Sequence, residues 1–268
     1  MVPVPRLLNI SMILAVAVCR LHVPAFAQDT PAVDGTNRSG TLKLEAGAEV
    51  DLNSVYVFRG MVYSSGPVAQ SRAWASRNGL SVYAWNNVAM PAAAGARSLD
   101  EVDLGTSYSF ERGAFTIAPA FDLYLYRLSA SELSAGSPSG TGEASATLSY
   151  AAGDTEFSLQ HVVDVVSYRG AYFAALGVSH DLTLARDTDV GAAVSLGWAS
   201  ARYHQAYLES PRRGLGLLSA QLSATRRLGR GLYVKGHVEL TTVPDAGLRA
   251  RVDRPTVVVA GLTVGVSR

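Results

Sequence analysis

The side chains of this 268-residue chain that could carry chemistry are carboxylates and a few histidines, most of them spaced two residues apart. Nucleophilic hydrolysis needs a Ser and a His on the same face, with an Asn or Asp orienting the imidazole. Ser179 and His180 are adjacent, so on an extended segment they point to opposite faces, and no H-x-S arrangement occurs. A carboxylate-and-His hydrolase would need its groups close together. The nearest candidates, Asp164 and Glu209 with His204, lie in different regions and form no motif. The single Cys, Cys19, excludes a cysteine-based zinc site, and glycines occur singly in place of a phosphate-cradling loop. No catalytic, cofactor-binding or metal-ligating residue is therefore assigned, and the expectation is a protein that is not an enzyme and needs no cofactor. The chemistry left to the carboxylates is electrostatic: they can attract, pair with or pass ions.

The elements that must position these charges alternate with period two, the signature of a strand with one apolar and one polar face. In Leu232–Leu240, Leu232, Val234, Gly236, Val238 and Leu240 form one face, and Tyr233, Lys235, His237 and Glu239 the other. Residues 42–52 repeat this, with Leu, Ala and Val on one face and Lys43, Glu45, Glu49 and Asp51 on the other. Twelve such strands are predicted, over 42–59, 68–77, 80–89, 99–110, 114–127, 142–151, 155–167, 171–182, 189–200, 215–228, 232–243 and 255–267. Tight breaks at Asn78-Gly79, Glu111-Arg112-Gly113, Ala152-Gly153-Asp154, Arg186-Asp187-Thr188 and Gly229-Arg230-Gly231 have the residues that tolerate the positive φ of hairpin turns. Mostly longer connections lie between them. Alternating short and long connections are what an up-and-down barrel gives when all turns of one kind lie on one side of a membrane.

Composition narrows the class. The chain is 48% hydrophobic with a formal charge of +1, too apolar and too neutral for disorder or for a nucleic-acid binder. Arg6, the apolar run Leu7 to Cys19 and the A-x-A site Ala25-Phe26-Ala27 read as a signal peptide over 1–27. A polar leader covers 28–41, and the barrel is expected over 42–268. No later apolar run reaches the roughly 18 residues of a membrane helix. The expected fold is all-β: one up-and-down transmembrane barrel of about twelve antiparallel strands in the outer membrane of a Gram-negative bacterium. A soluble barrel alternates equally well, with its apolar face inward; few Lys or Glu on the polar faces argue against it.

Tyr56-Val57-Phe58-Arg59-Gly60 at the end of the first strand, with Pro67 and Gln70 opening the second, resembles the TorF-like family of outer-membrane porins. Trp85-Asn86-Asn87 and Glu101-Val102-Asp103-Leu104 are similar to the same family. The resemblance covers roughly residues 45–125 by motif and implies a channel of poorly defined substrate. Barrels of this kind commonly end on an aromatic residue; this sequence departs from that with Val266-Ser267-Arg268.

Twelve strands lie between the filled interior of eight and the open channel of sixteen. The face assignment places Glu45, Glu49, Asp51, Arg72, Glu101, Asp103, Asp122, Asp164, Arg227, Lys235, His237 and Glu239 toward the lumen, with Lys43, Glu143 and Glu156. Carboxylates predominate, so the expected function is passive diffusion of small solutes or ions, with cations preferred. Neutralising Glu101 and Asp103, two residues apart on one face, is expected to weaken that preference. The alternatives are a non-conducting structural or ligand-binding barrel whose charges pair internally and, less favoured, a barrel hydrolase. Expected partners are outer-membrane lipid, the barrel-assembly machinery and small solutes or ions, with no nucleic acid. Tyr124, Tyr126, Tyr150, Tyr168, Tyr172, Trp198 and Tyr207 are expected near strand ends as an interfacial girdle. His161 falls on the apolar face between Leu159 and Val163, and Arg59 is expected to anchor the first loop.

Overall fold

The computed structural model describes residues 44–90, 100–128, 134 and 136–268; the segments expected to be signal peptide and leader lie outside these. The wall consists of β1 (Glu45–Asn53), β4 (Val68–Arg77), β5 (Leu80–Ala89), β6 (Glu101–Tyr108), β7 (Phe110–Arg112), β8 (Phe115–Tyr126), β9 (Gly140–Ala152), β10 (Thr155–Asp164), β11 (Tyr172–Ala185), β12 (Thr188–Ala199), β13 (Gly214–Gly229), β14 (Leu232–Thr242) and β15 (Thr256–Ser267). β6 and β7 are one strand interrupted at Ser109, and both pair with β8. Each strand pairs antiparallel with its neighbours, and β1 pairs with β15, so the sheet is a closed ring of twelve strands. The seam is paired to its end: Gly47 faces Ser267, and Ala46 and Arg268 exchange two backbone hydrogen bonds. Among the described residues closure leaves no open edge to the sheet, the condition for sheet in lipid.

Turn chemistry fixes the register. Asn78 and Gly79 both have positive φ, +53° and +82°, and join Arg77 to Leu80 as a two-residue hairpin whose twist suits the strands it connects. The breaks at Gly113, Gly153 and Gly229-Arg230-Gly231 also have positive φ. These four turns and a fifth at Arg186-Asp187, which has no positive φ, lie at one end, here the tight-turn end, with the start of β1 and the end of β15; the longer connections lie at the other, the loop end.

The barrel is inside out relative to a soluble protein. Leu222 is 66% exposed, Val258 59% and Leu176 58% on the outer surface, whereas Asp103, Glu143 and Thr263 are at most 2% exposed inside. Apolar groups outside and carboxylates inside identify a transmembrane barrel, and the soluble alternative is excluded. Outward aromatics sit toward both ends. Tyr108 and Phe110, with ring centroids 4.6 Å apart, and Phe115 and Tyr150, 4.9 Å apart, lie by the tight turns. Toward the loop end His161 hydrogen-bonds the Tyr172 hydroxyl on the next strand, and Tyr172 lies 6.1 Å from Trp198. His161 is thus a member of the interfacial girdle. Tyr124, Tyr126, Tyr168 and Tyr207 are not: Tyr124 and Tyr126 belong to the lumenal face of β8, Tyr207 packs inside against Tyr203, and Tyr168 packs against Tyr207 with ring centroids 5.1 Å apart. Tyr124 and Tyr126 lie near the end of β8 but face inward, and Tyr207 stands on the helix that follows β12, not at a strand end.

One predicted strand is shorter than expected. The wall strand of 42–59 stops at Asn53, because Ser54 exchanges backbone and side-chain hydrogen bonds with Ala260 and the chain then turns inward. β2 (Tyr56–Phe58) and β3 (Met61–Ser64) form a separate two-stranded hairpin inside the ring. A helix, α1 (Ala201–Leu208), follows β12; the Ser200 side chain caps it by accepting from the Tyr203 N–H. A single turn, α2 (Ala246–Arg249), precedes β15 and is capped by Asp245.

Candidate functional site

The lumen is built around the β2–β3 hairpin. Phe58 and Met61 are directly paired, with Arg59 and Gly60 between them at φ +48° and +87°. Both signs are those of a type I′ turn, in which the first position favours Asn or Gly. An Arg held there carries a backbone cost of order 1–3 kcal/mol, tolerated only where its surroundings fix it. Gly60 is needed twice, for its φ and because a Cβ would lie 2.3 Å from the Gly216 carbonyl oxygen on β13. The tip therefore rests against the far wall.

Arg59 supplies what fixes it. Its guanidinium donates to both oxygens of Glu143 on β9, at 2.8 and 2.7 Å, in a buried bidentate pair. The same carboxylate accepts from the Tyr124 hydroxyl at 2.9 Å. The guanidinium carbon lies 4.5 Å from the ring centroid of Phe58, 4.7 Å from Phe173 on β11 and 5.7 Å from Tyr203 on α1. The root is held as well: Val55 and Val57 pack on Val257 and Val259 of β15, and the Tyr56 hydroxyl donates to Glu101 at 2.9 Å. The hairpin thus crosses the lumen near the loop end and is clamped at both sides.

The described residues singled out by sequence have inward positions and fall into three groups; Lys43 lies outside the described residues. Along β1, β4 and β14, Glu49 accepts from the Tyr233 hydroxyl, and Asp51 accepts from Asn53 at 2.8 Å and Thr263 at 3.0 Å. Arg72, opposite Glu49 in register, lies over the rings of Trp74 and Tyr83. Lys235, His237 and Glu239 alternate on β14, with Glu239 accepting from Thr241 at 2.8 Å; Glu45 sits at the tight-turn end of β1. All of this group except Glu45 borders a polar cavity of about 90 Å³ beneath the hairpin root, which Gln70, Trp85 and Gln221 also line.

The second group, Glu101, Asp103 and Asp122, is buried on β6 and β8; Asp122 accepts from the Tyr83 hydroxyl at 2.6 Å. The third is structural. Asp164 caps the loop after β10 by accepting from the Val166 and Tyr168 amides and from Thr141. Arg227 pairs with Asp189 by the tight turns. Of the motif residues, Tyr56 to Gly60 form the hairpin's first strand and tip, the Pro67 carbonyl accepts from Met90, and Gln70 donates to Asn87 at 3.0 Å.

No family model matches the sequence, and no curated protein matches it significantly. Among solved structures the chain is similar to a KdgM porin, with a TM-score of 0.49 and 12% identity over 82% of this chain and 97% of the other. A NanC porin aligns at 0.48 and 11% identity over 84% and 98%. The COG4313 outer membrane channel from Pseudomonas putida F1 aligns at 0.48 and 8% identity over 89% and 100%.

The hydrolase candidates stay apart. Ser179 points inward, whereas His180 is exposed on the outside and hydrogen-bonds Thr155 at 2.9 Å. His204, buried on α1, donates through Nδ1 to the Arg212 carbonyl at 2.6 Å. Burial holds its imidazole below the ordinary pKa, as suits a neutral structural donor. Phe173, Tyr203 and Glu143 complete the clamp on Arg59; sequence placed Glu143 inside but did not connect it to Arg59.

Proposed function

We propose that this chain is an outer-membrane channel for small hydrophilic solutes and ions, cation-preferring, with a bore narrowed near its loop end by the β2–β3 hairpin. The observation that carries this reading is the inward-folded hairpin, clamped by Arg59 to Glu143 across a polar lumen. Electrostatics supports the cation preference. Arg59 and Arg227 are each bound to a carboxylate, and among the described residues the inward carboxylates outnumber the inward cations. In a narrow passage with low-dielectric walls that excess concentrates cations. The resemblance of Tyr56–Gly60 to the TorF-like porins supports the same reading, with the motif acting as the constriction. The loop end would face outward and the tight turns the periplasm.

A second reading is favoured by the burial around the hairpin tip: Arg59, Glu143, Phe173 and Tyr203 are all buried, as in a barrel that is closed at rest. Ion efflux from proteoliposomes separates the two. The channel reading expects isotopic K⁺ to exchange across the vesicle wall faster than isotopic Cl⁻, and large oligosaccharides to be retained. Vesicles that release neither ion, although the barrel has inserted, would establish the closed barrel instead.

A further inference from the structure

The hairpin divides the lumen unequally. It covers the wall formed by β6, β8 and β9, where Tyr56 donates to Glu101, Arg59 to Glu143, and the Phe58 ring lies 6.3 Å from Tyr124. Beneath it Glu101 is 5% exposed, Asp103 1% and Asp122 7%, so the most acidic wall is sealed from anything that moves through the barrel. On the opposite side, under the hairpin root, the cavity keeps Glu49, Asp51 and Glu239 accessible.

Asn53 provides an independent sign of a ligand there. It lines the cavity and is 7% exposed. Its Nδ2 donates to Asp51 at 2.8 Å and to Gln70 at 2.9 Å, which fixes the amide and makes Oδ1 an acceptor. Among the described residues Oδ1 has no partner, nor has Nδ1 of the neighbouring His237. Both side chains lie over Gly261, where a Cβ would be 2.1 Å from Asn53 Oδ1 and 2.3 Å from His237 Cε1; a larger residue would displace them. A buried acceptor without a donor is costly, and this one is flanked by carboxylates. A cation that donates hydrogen bonds satisfies both features, and Arg72 and Lys235 on the same side moderate the charge toward monovalent ions.

We propose that the permeation route follows the β1, β4, β14 and β15 side of the lumen, and that Asn53, Glu49, Asp51 and Glu239 form its subsite for small monovalent, ammonium-type cations. This rests on the channel reading, and it moves selectivity away from Glu101 and Asp103, the pair expected from sequence. The test uses the full barrel in planar bilayers under a KCl gradient. Glu49→Gln with Glu239→Gln should lower the K⁺/Cl⁻ permeability ratio several-fold, and Asp103→Asn should leave it within error. Asn53→Ala should lower methylammonium permeability relative to tetramethylammonium. Selectivity that follows Asp103 and ignores Glu49 and Glu239 would overturn the proposal, as would an unchanged methylammonium ratio.

Cysteine labelling in detergent distinguishes failure of the route from failure of the channel. Gln221→Cys should react quickly with a cationic thiol reagent, and Asp103→Cys slowly. If the wild type passes no ion, the channel reading falls, while the labelling still reports which wall solutes reach. Equal rates at both positions would refute the assigned route.

Discussion

Arg59→Ala removes one half of a buried bidentate pair and leaves Glu143, 2% exposed, with the Tyr124 hydroxyl as its remaining donor among the described residues. Breaking a buried ion pair from one side costs about 3–5 kcal/mol, because the remaining charge is uncompensated. The contacts of the guanidinium with Phe58 and Phe173 add roughly 0.5–2 kcal/mol each. Alanine also keeps the positive-φ cost at the hairpin tip without the contacts that offset it. Since about 1.4 kcal/mol is a factor of ten in an equilibrium, the ion-pair contribution alone should raise the population of the released hairpin by roughly two to three and a half decades. Hydrogen exchange reads this directly: amides of residues 56–64 should lose protection by that factor, while those of β12–β14 keep theirs. Arg59→Met with Glu143→Leu, an apolar pair of similar reach, should recover much of the protection, as buried pairs replaced from both sides often do. Unchanged protection of 56–64 in Arg59→Ala would show that the clasp does not hold the hairpin, and the reasoning would fail.

Three further outcomes follow from the fold. Leu222, 66% exposed toward lipid, should cost about 2–4 kcal/mol as Leu222→Arg, whereas the adjacent inward Gln221→Arg should cost much less in refolding titrations; equal costs would invert the assigned faces. Of the three tryptophans, only Trp198 is outside, so brominated lipid should quench wild-type emission and have little effect on Trp198→Phe; undiminished quenching of the variant would place Trp74 or Trp85 in lipid. Asp245 caps α2 and accepts from Arg212 at 2.7 and 3.1 Å, and hydrogen bonds from Arg212 hold its carboxyl below the usual carboxylate range. A depressed carboxylate contributes fully above its unfolded pKa, about 3.9, and loses that contribution as pH falls through the lower folded value. Amide protection at residues 245–251 should therefore hold down to about pH 4 and fall below it; loss near neutrality would contradict the assignment.

The wall was legible because lipid outside and polar lumen inside impose period two on every strand, and because Asn78-Gly79 and the other turns carry residues that accept positive φ. Ten of the strand assignments needed adjustment by at most three residues at either end, among them the exact Val68–Arg77 and Leu80–Ala89; the 99–110 strand was extended to Arg112 by its interrupted end. The lumenal hairpin was not legible as such, since Tyr56, Val57 and Phe58 favour extended backbone equally in the wall or across the bore. Two signals bear on it in hindsight. Val55 to Phe58 are apolar on both faces, which no lipid-and-lumen strand should be, and Arg59-Gly60 occupies the two positive-φ positions of a hairpin turn. Inward charges were readable residue by residue, yet the sealed and open walls were not, because the direction in which the chain leaves Asn53 is set by its bonds to Asp51, Gln70 and, through Ser54, to β15.

If the inward hairpin sets the conductance of the membrane barrel, its removal must show in single-channel recordings. Wild-type protein and a variant with residues 55–65 replaced by a short Gly-Ser linker should be recorded side by side in planar bilayers. The wild type should give small cation-preferring steps and the variant several-fold larger, less selective ones. Equal conductance in the two, or none in either after verified insertion, would contradict it.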